Sequence, residues 1–245
     1  MKKVIIMGAT SGLGRALAER YIKAGWKVGA AGRNEKALAE LTALAPDQVV
    51  TAKIDILSDD APAELRQLIS LCGGMDTYLH CSGVAMLNEE LSLDTELKIC
   101  ETNAVGFTRM CETAYHYFET SREPGRLVAI SSIAGFRGLE MLPAYSASKA
   151  YDSVLLEALR QRADGRNLPL RVVDIKPGWT RTPLLADDKH YMLEMDAQTV
   201  ADLIFKASLK AKRSVVIGLR WKLITSLERL VPACIWQKIH IPIWK

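Results

Sequence analysis

The sequence predicts an α/β protein built around a parallel sheet. Two observations carry that expectation. Short apolar runs alternate with longer segments of helical period, and the first run passes straight into a glycine-rich turn, Gly8-Ala9-Thr10-Ser11-Gly12-Leu13-Gly14. The expected strands are Val4–Met7, Lys27–Ala31, Val49–Ile54, Thr77–Cys81, Arg126–Ser131, Leu170–Ile175 and Ser214–Ile217. Strands covered on both faces read as unbroken apolar runs, as Leu127-Val128-Ala129-Ile130 and Val172-Val173 do. Helices are expected over Leu13–Ala24, Glu35–Leu44 and Ala61–Leu71, with Asn34 placed so that its side-chain oxygen accepts from the next turn's amides. No linker, low-complexity stretch or internal repeat interrupts the 245 residues, so one domain over 1–245 is expected.

A chain of this length buries enough surface to need no disulfide or metal. Its 49% hydrophobic and 24% charged residues are ordinary for a globular protein. A net charge of +4 falls far short of the dense basic stripe of a nucleic-acid binder. The five cysteines (Cys72, Cys81, Cys100, Cys111 and Cys234) are scattered without C-x-x-C spacing, which argues for free thiols in a reducing compartment and against a metal site. The apolar run behind Met1-Lys2-Lys3 is too short for a signal-peptide core. Nothing elsewhere approaches the roughly 20 apolar residues that span a bilayer. A cytoplasmic protein is the expectation.

Glycines at 8, 12 and 14 let the chain turn sharply and let backbone amides approach a pyrophosphate, while the following helix presents its positive end to the same anion. The spacing is G-x-x-x-G-x-G, and the absence of Gly-Lys-Ser/Thr disfavours a nucleoside triphosphatase loop. After the second strand, Ala30-Ala31-Gly32-Arg33-Asn34 lacks the carboxylate that would accept from a ribose 2′-hydroxyl. Arg33 offers instead a planar fork for a 2′-phosphate, so NADP(H) is expected over NAD(H).

Ser132 falls just past the fifth strand, and Tyr145 and Lys149 share one helical face. Carbonyl reduction needs an acid for the developing alkoxide, and alcohol oxidation needs a base. Moving a free phenol from ~10 to about 7 takes roughly 4 kcal/mol. An ammonium about 5 Å away supplies on the order of 3 kcal/mol at an effective dielectric of ~20. Ser132 can hydrogen-bond the substrate oxygen as charge gathers there.

From Met1 to about residue 185 the chain resembles the short-chain dehydrogenase/reductase family, in its NADP-preferring type. The resemblance rests on Gly8, Gly12 and Gly14, Asp55 after the third strand, Asn103 in Thr102-Asn103-Ala104, Ser132, Tyr145 with Lys149, and Pro177-Gly178 followed by Thr182. It implies a doubly wound, seven-stranded parallel (Rossmann) sheet flanked by helices in three layers, with the cofactor at the carboxyl ends of the strands. Tyr145 would be the general acid/base, and Ser132 would position the substrate oxygen. Lys149 would favour the phenolate and hold the nicotinamide ribose, and Asn103 would hold a relay water. Asp55 would meet the adenine. Pro177, Gly178 and Thr182 would line the nicotinamide and phosphate side, and Thr10, Ser11, Leu13, Ile56, Ser82, Gly83 and Thr180 would complete the cofactor shell. The partners implied are a small carbonyl or alcohol substrate and further copies of the chain, in a homodimer or homotetramer. The family usually carries Asn-Asn-Ala-Gly after the fourth strand where this chain has His80-Cys81-Ser82-Gly83. His80 reads as a packed or hydrogen-bonded residue.

Substrate choice is expected in residues 179–197, where Trp179, Leu184, Leu185, Tyr191, Met192, Leu193 and Met195 could close over an apolar substrate or pack on the core. From about 219, Leu223, Leu227, Leu230, Ile235 and Ile239 fall near helical spacing among Arg220, Lys222, Arg229 and Lys238, with Trp221, Trp236 and Trp244. Pro232 divides this tail into two short pieces. Packing or a subunit contact is favoured for it over a membrane surface. The function expected is NADP(H)-dependent hydride transfer to or from an apolar ketone, aldehyde or secondary alcohol. The alternative is an NADP(H)-binding regulatory protein without catalysis.

Overall fold

The computed structural model describes residues 1–184, 191–210 and 213–240. In chain order its strands are β1 (Lys3–Met7), β2 (Lys27–Gly32), β3 (Val49–Lys53), β4 (Thr77–His80), β5 (Gly125–Ile130), β6 (Leu170–Lys176), β7 (Thr180–Arg181), β8 (Met195–Asp196) and β9 (Ser214–Val216). All but β7 and β8 join one seven-stranded parallel sheet in the order β3-β2-β1-β4-β5-β6-β9. Each of these seven was legible as an apolar run, with ends displaced by a residue or so. β7 and β8, which pair with each other, were not expected.

Alternation within a strand feeds two cores. Ile5 and Met7 pack beneath α3 (Ala61–Cys72), α5 (Phe107–Ser121) and α6 (Pro143–Gly165). Val4 and Ile6 pack beneath α1 (Gly12–Lys23), α2 (Glu35–Leu44) and α7 (Ala197–Lys210). Tyr21 fastens α1 to α7: its ring meets Phe205 edge-on at 4.8 Å and its hydroxyl bonds Ser208 at 2.8 Å. Asn34 caps α2, its oxygen accepting from the Ala37 amide at 3.1 Å. The sheet order reverses at β1, with β2 on one side and β4 on the other. A crevice therefore opens above the carboxyl ends of these strands, where doubly wound folds place their ligands.

Candidate active site

The turn after β1 is shaped by contacts that only glycine permits. Gly8 has φ +87°, and a Cβ there would lie 2.7 Å from the Ser82 amide nitrogen. A Cβ on Gly14 would lie 1.9 Å from the Gly8 carbonyl oxygen, pressing the first helical turn into the strand end. Gly14→Ala is therefore expected to cost about 1–3 kcal/mol through overpacking and to abolish nucleotide binding. A thermal melt and a nucleotide titration of the variant check this, and an unchanged melting temperature would contradict it.

Ser11 precedes α1 in an extended conformation and makes no side-chain cap, and the first turn of α1 holds no acid. Ser11, Gly12 and Leu13 line the crevice, so uncapped amides and a positive helix end face it. These features fit a diphosphate.

The crevice is a cavity of about 720 Å³. It gathers the glycine turn with Thr10, then Arg33, Asp55, Ile56, Ser82, Gly83, Pro177, Gly178, Thr180 and Thr182, together with Ser132, Tyr145 and Lys149. Every residue of the expected catalytic and cofactor sets thus lies on one surface, except Asn103, and of the candidates in 179–197 the cavity takes Trp179, Leu184 and Met192 but not Tyr191, Leu193 or Met195. Arg33 is exposed at the rim, and Glu35, the nearest acid in sequence, is paired with Lys53 at 3.2 Å.

Pro143 opens α6 at a position where its missing N–H costs nothing. Tyr145 in the first turn and Lys149 one turn later are both buried. The Lys149 Nζ lies 5.9 Å from the Tyr145 ring centre. Ser132 caps a short 3₁₀ turn, Ile133–Gly135, its Oγ accepting from the Ala134 amide at 3.1 Å while its hydroxyl proton is left to give.

Sequence reasoning missed Asp152. Its carboxylate accepts from the Lys149 Nζ at 2.8 Å, and both groups are buried. The ammonium also donates to the Ile130 carbonyl at 3.3 Å. Burial opposes the lysine charge, but Asp152, Tyr145 and Asp174 outweigh it and hold Lys149 above the ordinary lysine range. Burial likewise pushes Asp152 up to about 6, against the pull of Lys149. A second buried pair, Lys176 with Asp174 at 2.6 Å, lies nearby and engages Ser131 and Ser153. The spacing of Lys149 and Asp152 is that of a helical ion pair, which was the available signal.

Asn103 sits behind the cavity wall, in a π-helical turn, Glu101–Gly106, between α4 (Leu93–Cys100) and α5. Its Oδ1 accepts from the Val84 amide and its Nδ2 donates to the Val84 carbonyl, both at 2.8 Å. The second amide hydrogen goes to Ser148 Oγ at 3.1 Å. The side chain thus clamps the strand end after Gly83 to α6, one residue from Lys149.

His80 is wholly buried, bonded through Nδ1 to the Tyr78 hydroxyl at 2.9 Å and packed edge-on against Phe107. Burial, then the Lys149 charge, lowers its pKa to about 3. As pH falls below ~6.5 the unfolded chain takes up a proton that the folded chain refuses until about 3, so stability is lost on acidification. Between pH 7 and pH 5 this group is expected to remove about 2 kcal/mol. Denaturant unfolding of His80→Gln at the two pH values should show that much less loss than the parent chain. An identical loss would contradict the assignment.

The short chain dehydrogenase family profile matches residues 2–192. The chain belongs to this family. A relative from Myxococcus xanthus, named only as an oxidoreductase, is 32% identical over 238 residues, covering 94% of this chain and 93% of that protein. The mouse dehydrogenase/reductase SDR family member 7B is 28% identical, covering 87% of this chain and 72% of its own. Among solved structures, a short-chain dehydrogenase from Streptomyces avermitilis aligns with a TM-score of 0.78 at 22% identity, over 97% of this chain and 98% of that one. A serine dehydrogenase complexed with NADP+ aligns at 0.76 and 20%, over 88% and 94%. The two structures share the fold. The chain is thus an oxidoreductase of the type that acts on CH–OH and C=O groups with a nicotinamide cofactor.

The cavity also has a group of large apolar lining residues, Leu139, Leu142, Trp179, Met192, Trp221 and Ile224, and Trp179 stacks on Tyr191 at 4.6 Å. Leu185 and Trp244 lie outside the described residues. The tail divides at Pro232 into α8 (Leu219–Glu228) and α9 (Ala233–Trp236). Trp221 and Trp236 complete the cavity wall, a role that sequence reasoning did not assign them. Three contacts strap the tail to the segment after Ser132: Arg137 to the Val231 carbonyl at 2.6 Å, Trp236 to the Gly138 carbonyl at 3.0 Å, and His240 to Glu140 at 2.9 Å. Among the described residues no helix is long and apolar enough to cross a membrane, and no cluster could hold a metal ion.

Proposed function

We propose that this dehydrogenase is an NADP(H)-dependent reductase of an apolar ketone or aldehyde, running in reverse on the matching alcohol. The observation that carries the reading is the meeting of Ser132, Tyr145 and Lys149 on one wall of the cavity that begins at the uncapped end of α1. When bound, the nicotinamide supplies or accepts the hydride. Tyr145 gives its phenolic proton to the carbonyl oxygen, and Ser132 donates a hydrogen bond to the same atom as charge builds on it. Lys149, charged and held by Asp152, stabilises the phenolate that remains. Asn103 ties the segment after Gly83 to α6, which carries Tyr145 and Lys149, and a relay water beside it would return the proton from solvent.

In this reading Gly8, Thr10, Ser11, Gly12, Leu13 and Gly14 hold the diphosphate, and Asp55 and Ile56 the adenine. Ser82 and Gly83 leave room for the ribose, and Pro177, Gly178, Thr180 and Thr182 flank the nicotinamide. Arg33 binds the 2′-phosphate, and Glu35, the nearest acid in sequence, is engaged by Lys53. The five free thiols suit a cytoplasmic setting. A homodimer or homotetramer accords with the family's usual assembly. The test is turnover: the purified chain with NADPH should consume reduced nicotinamide on adding an apolar ketone or aldehyde. Silence across a panel of such carbonyls at saturating NADPH would contradict the proposal.

A further inference from the structure

The outer face of α8 is apolar where a solvated helix should be polar. Leu219, Leu223 and Leu227 fall within about 80° of arc, and Leu230 follows in the next turn. They are 82%, 64%, 57% and 78% exposed, respectively. The opposite face of the same helix carries Trp221, Ile224 and Glu228, all on the cavity wall. α8 therefore has two working sides: one completes the cavity wall, and the apolar other has no partner among the described residues. Monomers rarely leave such a contiguous stripe uncovered without a use for it.

The charges beside the stripe identify the surface that covers it. Arg220 and Lys222 flank it on α8, Arg229 and Lys238 add positive charge to the same tail, and the one carboxylate in residues 219–240 is Glu228, on the cavity side. A second copy docked by a two-fold axis would bring this patch onto itself, cations against cations. An anionic lipid surface satisfies both features at once, because leucines enter the acyl boundary while Arg and Lys reach headgroup phosphates.

We propose that α8 and the turn after it seat this dehydrogenase on an anionic bilayer, with the cavity directly behind the same helix. Resting on the function proposed above, this makes the substrate class a membrane-dissolved, long-chain carbonyl or alcohol. The tail would then be a strap with a wet and a greasy side, held over the cavity by Arg137, Gly138 and Glu140.

Co-sedimentation of the full chain with vesicles tests this without reference to activity. Binding to phosphatidylcholine vesicles containing phosphatidylserine is expected, with much less binding to phosphatidylcholine alone and weakening as salt rises. The triple variant Leu219→Ser, Leu223→Ser, Leu230→Ser should lower the partition coefficient at least about tenfold. Arg220→Gln with Lys222→Gln should remove the preference for the anionic lipid. These positions are exposed and lie outside the cavity, so turnover of a short soluble ketone should persist in both variants. No vesicle binding by the parent chain would overturn the proposal. So would a leucine variant whose oligomeric state by light scattering changes while vesicle binding does not, which would assign the stripe to a second copy. If vesicles bind but no carbonyl is turned over, the functional reading fails and the surface stands.

Discussion

Tyr145→Phe is expected to bind NADPH as the parent chain does and to lose about 10²–10⁴ of kcat, the usual contribution of a positioned acid or base. The substitution removes one oxygen and leaves the ring where it packs, against Ile99, Leu142 and Ala144. The fold should therefore survive, and the cofactor surface, which comes mostly from other elements, should be unchanged. Steady-state turnover together with a nucleotide titration separates the outcomes. Loss of both binding and turnover would assign Tyr145 a structural role, and full turnover would remove it from the chemistry.

Arg33→Ala should weaken NADPH by about 10–50-fold and change NADH less than about twofold. Charged hydrogen bonds to a phosphate contribute about 1.5–3 kcal/mol, and the exposure of Arg33 at the rim puts the effect in the lower part of that range. The parent chain should lose NADPH affinity with rising salt more steeply than the variant. Equal losses for both nucleotides would refute a 2′-phosphate contact.

Much of this architecture was legible because its signals are local. Leu127-Val128-Ala129 reads as a strand because both faces of it are covered, and Asn34 reads as a cap because the cap spans three residues. The glycine turn and the Tyr145–Lys149 spacing point to the site for the same reason. What escaped depends on distant chain meeting distant chain. Asp152 three residues after Lys149 looks like a surface ion pair until the sheet and α5 bury it. Trp221 becomes part of the cavity wall only because the tail returns to lie against Gly178, where a Cβ would meet its indole at 2.1 Å. The π-helical turn at Asn103 leaves no apolar period to read, since its purpose is a clamp on Val84 more than forty residues before α6 begins to supply the acid.

The most direct measurement is a paired fluorescence titration of the full chain with NADPH and NADH, followed by addition of an apolar ketone to the saturated complex. Saturable binding of both is expected, NADPH the tighter by on the order of tenfold or more, with oxidation of the bound nucleotide once the ketone arrives. Equal affinities would contradict the role of Arg33. Failure of either nucleotide to bind would contradict the reading of the cavity from the glycine turn onward.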